Sequence, residues 1–550
     1  MYAILRAAAV GAPRRPLLSA TMASLATSIW IVAVDNLAFW KTFLGAQDGA
    51  GAAALFASIG LFVVLILALA TTLRLLATPP VGLFVLPALL VVSAGVAHYL
   101  DAWGVLFDKA LIRNLVETDV REAKELFTWP ALLDVALRGV LPASAIWLVG
   151  IRSSSKRKTL GHTALLAVAT GGAACILITT GYGILATTFR NHRELRFQLV
   201  PSNYINAVYG YLRGNEKPTG ALRTIAPDAV RTVASSPRPL VLILVVGETA
   251  RAANFSLGRY VRDTNSALRD TDVVYFGNVV ACGTDTATSL PCMFSDFGAR
   301  EFSVSKARAS ENVLDVLQRT GVKVEWLDNN SGCKGVCARI PTQQMPTTGN
   351  EELCGDDACY DEILVRRLEE RLKSVREDTA IILHQMGSHG PAYYKRYPPP
   401  GKYGPTCDTS RIQSCDRQAL INTYDNTISY TTEVIMQTIS AARVQSARAD
   451  IAVIYISDHG ESLGERNVYL HGLPPPLAPR EQLEVPMMAW LSPEIRSRHE
   501  MPRNCIAGLA NKAYSHDNLP HTLLGMFGVQ TTLYRKDLDI FQPARSFSSC

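Results

Sequence analysis

Charge is scarce in this chain, and scarcest near its start. Only 19% of the 550 residues are Asp, Glu, Lys or Arg, and the 84 residues from Leu17 to Leu100 carry four of them (Asp35, Lys41, Asp48 and Arg74). So little charge excludes disorder for this stretch and argues against an ordinary soluble core. A strong net charge is missing too: 54 basic minus 48 acidic residues gives +6, too mild to indicate a nucleic-acid partner. Internal repeats and long low-complexity tracts are absent. What is abundant is apolar: 48% hydrophobic residues and a mean hydropathy of +0.13. At ~150 residues per domain the length would suggest three or four soluble domains. The uneven distribution instead describes a membrane protein with a large water-soluble half.

Five apolar spans can be drawn, at 18–40, 52–73, 80–100, 130–151 and 162–186, each near the ~20 residues that cross hydrocarbon as a helix. Ala52–Leu73 carries no charge. The fourth span holds Asp134 and Arg138, four residues apart and able to pair within the protein. The first span is long, lacks a small-x-small cleavage site and is followed by further spans, so it reads as an anchor and not as a signal peptide. Arg6, Arg14 and Arg15 precede span one, and Arg152, Lys156, Arg157 and Lys158 lie between spans four and five. Both groups belong on the cytoplasmic side. The loop after span three has four basic residues against six acidic ones, and an odd number of spans then places everything after about residue 187 outside the cytoplasm.

Cysteine placement agrees with that orientation. Eight of the eleven form close pairs, Cys282/Cys292, Cys333/Cys337, Cys354/Cys359 and Cys407/Cys415, with separations of 10, 4, 5 and 8. No CxxC knuckle occurs among them, so local disulfides in an oxidising compartment fit better than structural zinc. Cys175 lies within a span, and for Cys505 and Cys550 both pairing and free thiols stay open.

After the spans, Asn191–Tyr211 mixes aromatics with charges and reads equally as a solvated connecting helix or as an interfacial one. Gly214–Pro239 reads as a linker. From Leu240 short apolar strands alternate with helical stretches: Leu240–Val246, Val322–Leu327, Ala380–Leu383 and Ile451–Ile456 are expected as buried, mostly parallel strands. Val313–Arg319, Asp361–Val375 and Asn422–Ala442 are expected as helices. The expected organisation is therefore a five-span domain (1–187), a bridging helix and linker (188–239), and an α/β domain (240–550) with its site beyond the carboxyl ends of its strands.

Three of those strands run into polar groups: Val246 into Gly247-Glu248-Thr249, Leu383 into His384 and then Ser388-His389-Gly390, and Ile456 into Ser457-Asp458-His459-Gly460-Glu461. Glu, Asp and His make an oxygen/nitrogen ligand set suited to zinc with one position left open. Taken singly each has a bland reading as a cap or surface group; their shared position at strand ends is what joins them. An open site needs a group to activate, and Ala281–Cys292 is crowded with hydroxyls. A metal-lowered Thr hydroxyl can attack phosphorus or sulfur, although a Ser/Thr-rich loop satisfying its own backbone is the commoner arrangement. Residue types alone leave Thr284 and Thr286 as equal candidates.

Four ordered stretches carry a resemblance. Gly247–Phe255, the Cys282–Phe294 loop, Gly387-Ser388-His389-Gly390-Pro391-Ala392-Tyr393-Tyr394 and Ser457–Glu465, together with the five spans, resemble the lipid A phosphoethanolamine transferases. That family lies in the alkaline phosphatase/sulfatase superfamily and includes the colistin-resistance enzymes. The resemblance covers nearly the whole chain and implies an alkaline-phosphatase-like sheet sandwiched by helices. It implies Thr286 as the nucleophile that becomes phosphoethanolamine-modified, with Glu248, Asp458 and His459 joining it around Zn2+; it implies one ion and admits a second. His389 and His471 match site histidines that bind phosphoryl oxygens, protonate the leaving alkoxide or hold that second ion. Lys334, inside Gly332-Cys333-Lys334-Gly335-Val336-Cys337, matches a substrate-contacting lysine. Asn114, Thr118 and Glu122 recur every four residues, so one helical face presents all three; they match positions that meet the lipid ethanolamine head.

The implied activity is transfer of phosphoethanolamine from phosphatidylethanolamine to a lipid A phosphate, masking negative surface charge and so conferring polymyxin resistance. The implied setting is a monomer in a Gram-negative inner membrane, with the N-terminus cytoplasmic and the catalytic domain periplasmic. One residue departs from the pattern: Asp285 stands between the two threonines where a small residue is expected, and its carboxylate could tune zinc affinity or the nucleophile's pKa. Rival readings are another envelope acceptor (core sugar, glucan or glycerol phosphate), water as acceptor in a phosphatase or sulfatase, and a non-catalytic metal-binding membrane protein.

Overall fold

The computed structural model describes residues 17–47, 51–117, 124–214, 221–232, 238–346, 352–355 and 358–545. The chain forms two compact units: Met1–Asp108 with Phe127–Val208, and Lys109–Leu126 with Tyr209–Cys550.

The first unit is helical. Gly51–Leu76, Gly82–Trp103, Trp129–Val149 and Lys156–Asn191 are each long and apolar enough to cross a membrane, and the helices Ala20–Val34 and Leu37–Gly45, bent by 56° to each other, pass the same test when taken together. Small residues let these helices approach. A side chain at Gly60 would meet Leu177 at 2.8 Å, and one at Gly181 would meet Ala57 at 3.2 Å, the close packing on which apolar helices depend in lipid. The charges expected to pair in span four do so: Arg138 Nε lies 3.0 Å from Asp134 Oδ1 and Nη1 lies 2.6 Å from Asp101 Oδ2. The stretch Asn191–Tyr211 is broken into Leu195–Gln198 and Ser202–Gly214. Leu195 is buried with Phe39, Phe43, Leu61 and Leu177, so its start is packed and not merely solvated.

The second unit is built on an eight-stranded sheet. In chain order its strands are β1 (Leu240–Gly247), β2 (Val274–Val280), β3 (Lys323–Asp328), β4 (Thr342–Gln344), β5 (Thr379–His384), β6 (Asp450–Ser457), β7 (Glu484–Leu491) and β8 (Tyr514–Ser515). Their order across the sheet is β8-β2-β7-β6-β1-β5-β3-β4. Only β7 runs against its neighbours, and β1, β3, β5 and β6 pair in parallel. All eight residues of β1 are buried, because both faces of a parallel sheet are covered, and this is why its strands read as continuous apolar runs. Leu240, Leu242, Leu244 and Val246 face a core containing Leu290, Phe294, Val313, Leu317 and Leu523. The long helix Arg417–Gln445 packs against β6 and against Glu362–Ser374.

Two local expectations change. Part of the stretch expected as a linker is built into this unit: Val230–Arg231 pairs with Val529–Gln530, and Ile225 and Ala226 are buried in the core. The hydroxyl-rich segment expected as a loop is a helix, Thr286–Met293, capped by the Asp285 side chain. All four expected cysteine pairs are disulfides, Cys505 is disulfide-bonded, and Cys175 is free. Cys550 lies outside the described residues.

Candidate active site

β1 and β6 run side by side and end on the same edge of the sheet, with Gly247 opposite Ser457. The next residues, Glu248 after β1 and Asp458-His459 after β6, therefore emerge together. The loop after β5 crosses close to Glu248, and Gly387 is needed there: its φ is +54°, and a Cβ would lie 2.6 Å from the Glu248 carbonyl oxygen. Opposite them stands the helix Thr286–Met293, whose first residue is Thr286. The unpaired N–H groups of a helix's first turn favour negative charge at that end.

Thr286 Oγ1 lies 3.1 Å from each carboxylate oxygen of Glu248 and 3.2 Å from His459 Nε2. His459 Nε2 is 3.3 Å from Glu248 Oε1 and 3.4 Å from Asp458 Oδ2. Glu248, Asp458 and His459 are fully buried, and their ligand atoms all lie within 4.8 Å of one another. Each is oriented from behind. His459 Nδ1 donates to the Gly460 carbonyl at 2.9 Å, which turns Nε2 toward the site, where a bound cation would take the place of its proton. Asp458 Oδ1 accepts from the Thr249 and His459 amides at 3.1 and 2.7 Å. Thr249 Oγ1 donates to Glu248 Oε1 at 2.6 Å and Asn330 Nδ2 to Oε2 at 2.9 Å.

The donor set passes a direct test for a divalent cation: Asp458 Oδ2 is buried with no hydrogen-bond partner among the described residues, a costly state for a carboxylate oxygen unless it faces a positive charge. The titration behaviour agrees. Burial opposes ionisation of Glu248, but the hydrogen bond and charge of His459, then the charge of His389, hold its carboxyl well below the usual range. Burial and then the Glu248 charge push Asp458 up to about 7. Burial works against His459, yet the Asp458 charge and the Glu248 hydrogen bond raise it to about 10. Two carboxylates with one imidazole leave an excess of negative charge that a cation would neutralise.

Around this centre a cleft of ≈ 50 Å³ is lined by Asn114, Glu117, Thr286, Ala287, Ser331, Lys334, His389 and His471. The His471 ring lies 4.4 Å from His459 and 5.7 Å from His389. His471 Nδ1 is 3.3 Å from the buried Glu461 carboxylate, an orienting partner for the ring. His389 Nδ1 is buried with no hydrogen-bond partner among the described residues. Lys334 Nζ donates to Ser331 Oγ and O at 3.0 and 3.2 Å. Thr286, Glu248, Asp458, His459, His389, His471, Lys334 and Asn114 thus converge. Thr118 and Glu122 lie outside the described residues.

Thr284 and Thr286 are separated by the fold. Thr284 Oγ1 is buried and donates to the Leu473 carbonyl at 2.6 Å, while Thr286 Oγ1 points at the acidic cluster. The unexpected Asp285 has its own task. Its carboxylate accepts from the Thr288 amide at 2.9 Å, from Thr288 Oγ1 at 2.8 Å, and from Arg113 Nη2 at 3.3 Å. Sequence reading missed Asn330, Ser331, Glu117 and Glu461. A signal for the first two was present, because β3 also runs into polar residues, Asp328-Asn329-Asn330-Ser331, as the three recognised strands do.

Comparison with known proteins bears on the whole chain. The family model described as Sulfatase matches residues 241–529, and that described as Phosphoethanolamine transferase EptA/EptB matches residues 64–215. The phosphoethanolamine transferase EptA of Salmonella typhimurium is 38% identical over 540 residues, covering 97% of this chain and 99% of that protein. The phosphatidylethanolamine transferase Mcr-1 of Escherichia coli is 36% identical over 460 residues, covering 81% of this chain and 83% of that one. Among solved structures, the integral membrane lipooligosaccharide phosphoethanolamine transferase A of Neisseria meningitidis superposes with a TM-score of 0.92 at 34% identity, over 96% of this chain and 100% of that chain.

Proposed function

The chain belongs to the phosphoethanolamine transferases of the alkaline phosphatase/sulfatase superfamily, and from that premise we propose that it moves phosphoethanolamine from phosphatidylethanolamine to a lipid A phosphate through a covalent intermediate on Thr286. The observation that carries this is the placement of Thr286 Oγ1 at a helix N-terminus, 3.1 Å from both Glu248 oxygens.

In the first half-reaction Thr286 Oγ attacks the donor phosphorus and the P–O bond to diacylglycerol breaks. The hydroxyl proton is given up to water in the cleft as Oγ attacks, and the departing diacylglycerol oxygen takes a proton from the His389 or His471 imidazole. In the second, a lipid A phosphate oxygen attacks phosphorus, the Oγ–P bond breaks, and Thr286 recovers its proton. Glu248, Thr286, Asp458 and His459 would hold Zn2+, which when bound lowers the hydroxyl pKa and shields charge on the phosphoryl oxygens. The helix N-terminus adds to that shielding. Lys334 contacts the phosphoryl group, Asn114, Thr118 and Glu122 the ethanolamine head, and His389 with His471 would be the place for a second zinc.

Both substrates are lipids, so holding the enzyme in the membrane raises their effective concentration and restricts their orientation. The proposed organisation places the helical unit, Met1–Asp108 with Phe127–Val208, in a Gram-negative inner membrane with the N-terminus cytoplasmic, and the unit of Lys109–Leu126 with Tyr209–Cys550 in the periplasm as the catalytic part, acting as a monomer. Mass spectrometry of lipid A from cells expressing the wild-type chain should show an added phosphoethanolamine that Thr286→Ala abolishes. Modification surviving Thr286→Ala would refute the covalent step. Thin-layer analysis showing the group on another envelope molecule would refute the acceptor.

A further inference from the structure

The chemistry above leaves unused a pair of ionisable side chains sealed in the second unit. Asp328 closes β3 and His384 closes β5, opposite each other in register and fully buried. His384 Nδ1 lies 3.1 Å from Asp328 Oδ2. The same oxygen accepts from Trp326 Nε1 at 2.8 Å, and the imidazole stands edge-on to the Trp326 ring with centroids 5.4 Å apart. Burial favours the neutral forms of both groups, but their mutual attraction holds the Asp328 carboxyl below its ordinary range and His384 above its own. Two desolvated charges add little net stability compared with apolar residues of the same volume, so stability alone does not account for them. What they do supply is a fixed direction.

That direction leads to the active site. Asp328 Oδ1 accepts the backbone N–H of Asn330 at 2.9 Å. Asn330 is 1% exposed, and its amide reaches two ways. Nδ2 donates to Glu248 Oε2 at 2.9 Å and to the Gln385 carbonyl at 2.8 Å. Oδ1 accepts from the Ser331 amide at 2.6 Å, and the Ser331 oxygens in turn hold Lys334 Nζ. Gln344 Nε2 closes the turn by donating to the Asn330 carbonyl at 2.9 Å. The carboxylate beside the nucleophile and the cleft's lysine are thus joined through one asparagine, and that asparagine is anchored by Asp328.

We propose that Asp328 and His384 are positioning residues: by locking the turn from Asp328 to Ser331 they make Asn330 aim the Glu248 carboxylate for a divalent cation and, through Ser331, set the Lys334 ammonium. The inference rests on reading Glu248 as a metal-binding carboxylate.

The test uses the purified full-length chain in detergent and measures Zn2+ affinity by competition with a chromophoric chelator, alongside turnover and melting. His384→Leu removes the donor to Asp328, whereas His384→Asn places an amide N–H where Nδ1 stands. The expected result is a loss of about tenfold or more in Zn2+ affinity for His384→Leu, recovered to within about threefold by His384→Asn. Asn330→Ala should lose as much, and combining it with His384→Leu should cost nothing further, since both break one path. The proposal is overturned if His384→Leu binds Zn2+ as tightly as wild type, if the Asn variant is as impaired as the Leu variant, or if the two losses add. Should His384→Leu fail to fold, His384→Gln takes its place, its amide a methylene beyond the Nδ1 position, and Zn2+ affinity equal to wild type in His384→Gln overturns the proposal. A wild-type chain that binds no Zn2+ removes the metal reading and this inference with it; a wild type that binds while His384→Leu matches it removes the inference alone.

Discussion

Asp285 offers a sharp test of how the proposed nucleophile, Thr286, is held. Replacing it with alanine removes the cap on the helix that begins at Thr286, a loss of about 1 kcal/mol. It also strips Arg113 of its carboxylate, in a pair whose side chains are only 14% and 5% exposed. Orphaning one member of a buried pair costs about 3–5 kcal/mol, and the low end applies because Arg113 keeps its hydrogen bond to Thr288 Oγ1. The sum, about 4 kcal/mol, corresponds to a fall of roughly 5 °C in melting temperature for a unit of this size. Asp285→Asn retains an oxygen for the cap and loses only the charge, so it should fall by about three quarters as much. Turnover should follow the same order, because fraying the first turn displaces Thr286 itself. The competing idea is that the extra carboxylate tunes the metal or the nucleophile electrostatically. It requires Ala and Asn to act alike, since both delete the same charge, and to leave stability unchanged. Thermal unfolding and turnover of the purified full-length variants distinguish the two, and equal melting temperatures for Ala, Asn and wild type would refute the capping account.

Three more outcomes follow from the same geometry. In metal-free protein, Asp458, raised to about 7, imposes a cost that grows as pH climbs above its unfolded value; His459, raised to about 10, contributes stability that is full below its unfolded pKa and is lost as pH rises toward 10. Both slopes are downward with pH, and Glu248, held low, loses its contribution only in acid. Chelator-treated protein should therefore melt progressively lower from about pH 5 to about pH 9 while metal-loaded protein changes less; parallel melting profiles would contradict this. Gly387→Ala, with its added methyl 2.6 Å from the Glu248 carbonyl oxygen and φ at +54°, should weaken Zn2+ binding by about tenfold or more, whereas Gly508→Ala, with nothing within 4 Å, should bind as wild type. Removing the Cys282–Cys292 bridge by paired Ser substitutions opens a loop of separation 10 around Thr286; the expected cost is about 3 kcal/mol, read by melting, together with loss of lipid A modification.

Much of this was readable because it is local. A membrane span announces itself as some twenty apolar residues in a row, and all five expected spans have helical counterparts. The four disulfides join cysteines that are already neighbours in sequence. The parallel strands β1, β3, β5 and β6 were marked by unbroken apolar runs, since burial on both faces removes any alternation. The helix Thr286–Met293 was hidden by its composition: threonines, a serine and Pro291 disfavour helix locally, and what stabilises it is burial of Leu290 and Met293 in the core.

By itself, then, the sequence determined the membrane-spanning helices, the disulfide pairs, the α/β character and the polar ends of the strands, because each depends on residues near one another along the chain. The choice between Thr284 and Thr286 as the exposed hydroxyl, the cap made by Asp285, and the docking of Arg113 beside it were decided by tertiary structure. So was the path from His384 through Asp328 and Asn330 to Glu248. Apart from the cap itself, which spans three positions, the contacts between elements join residues separated by 38 to 189 positions, and only the register of parallel strands and the packing of helices on them bring such groups within hydrogen-bonding distance. Sequence spacing carries no information about that register, so residue types alone left Thr284 and Thr286 equal, and the supports around Thr286 emerge only once the strands are in place.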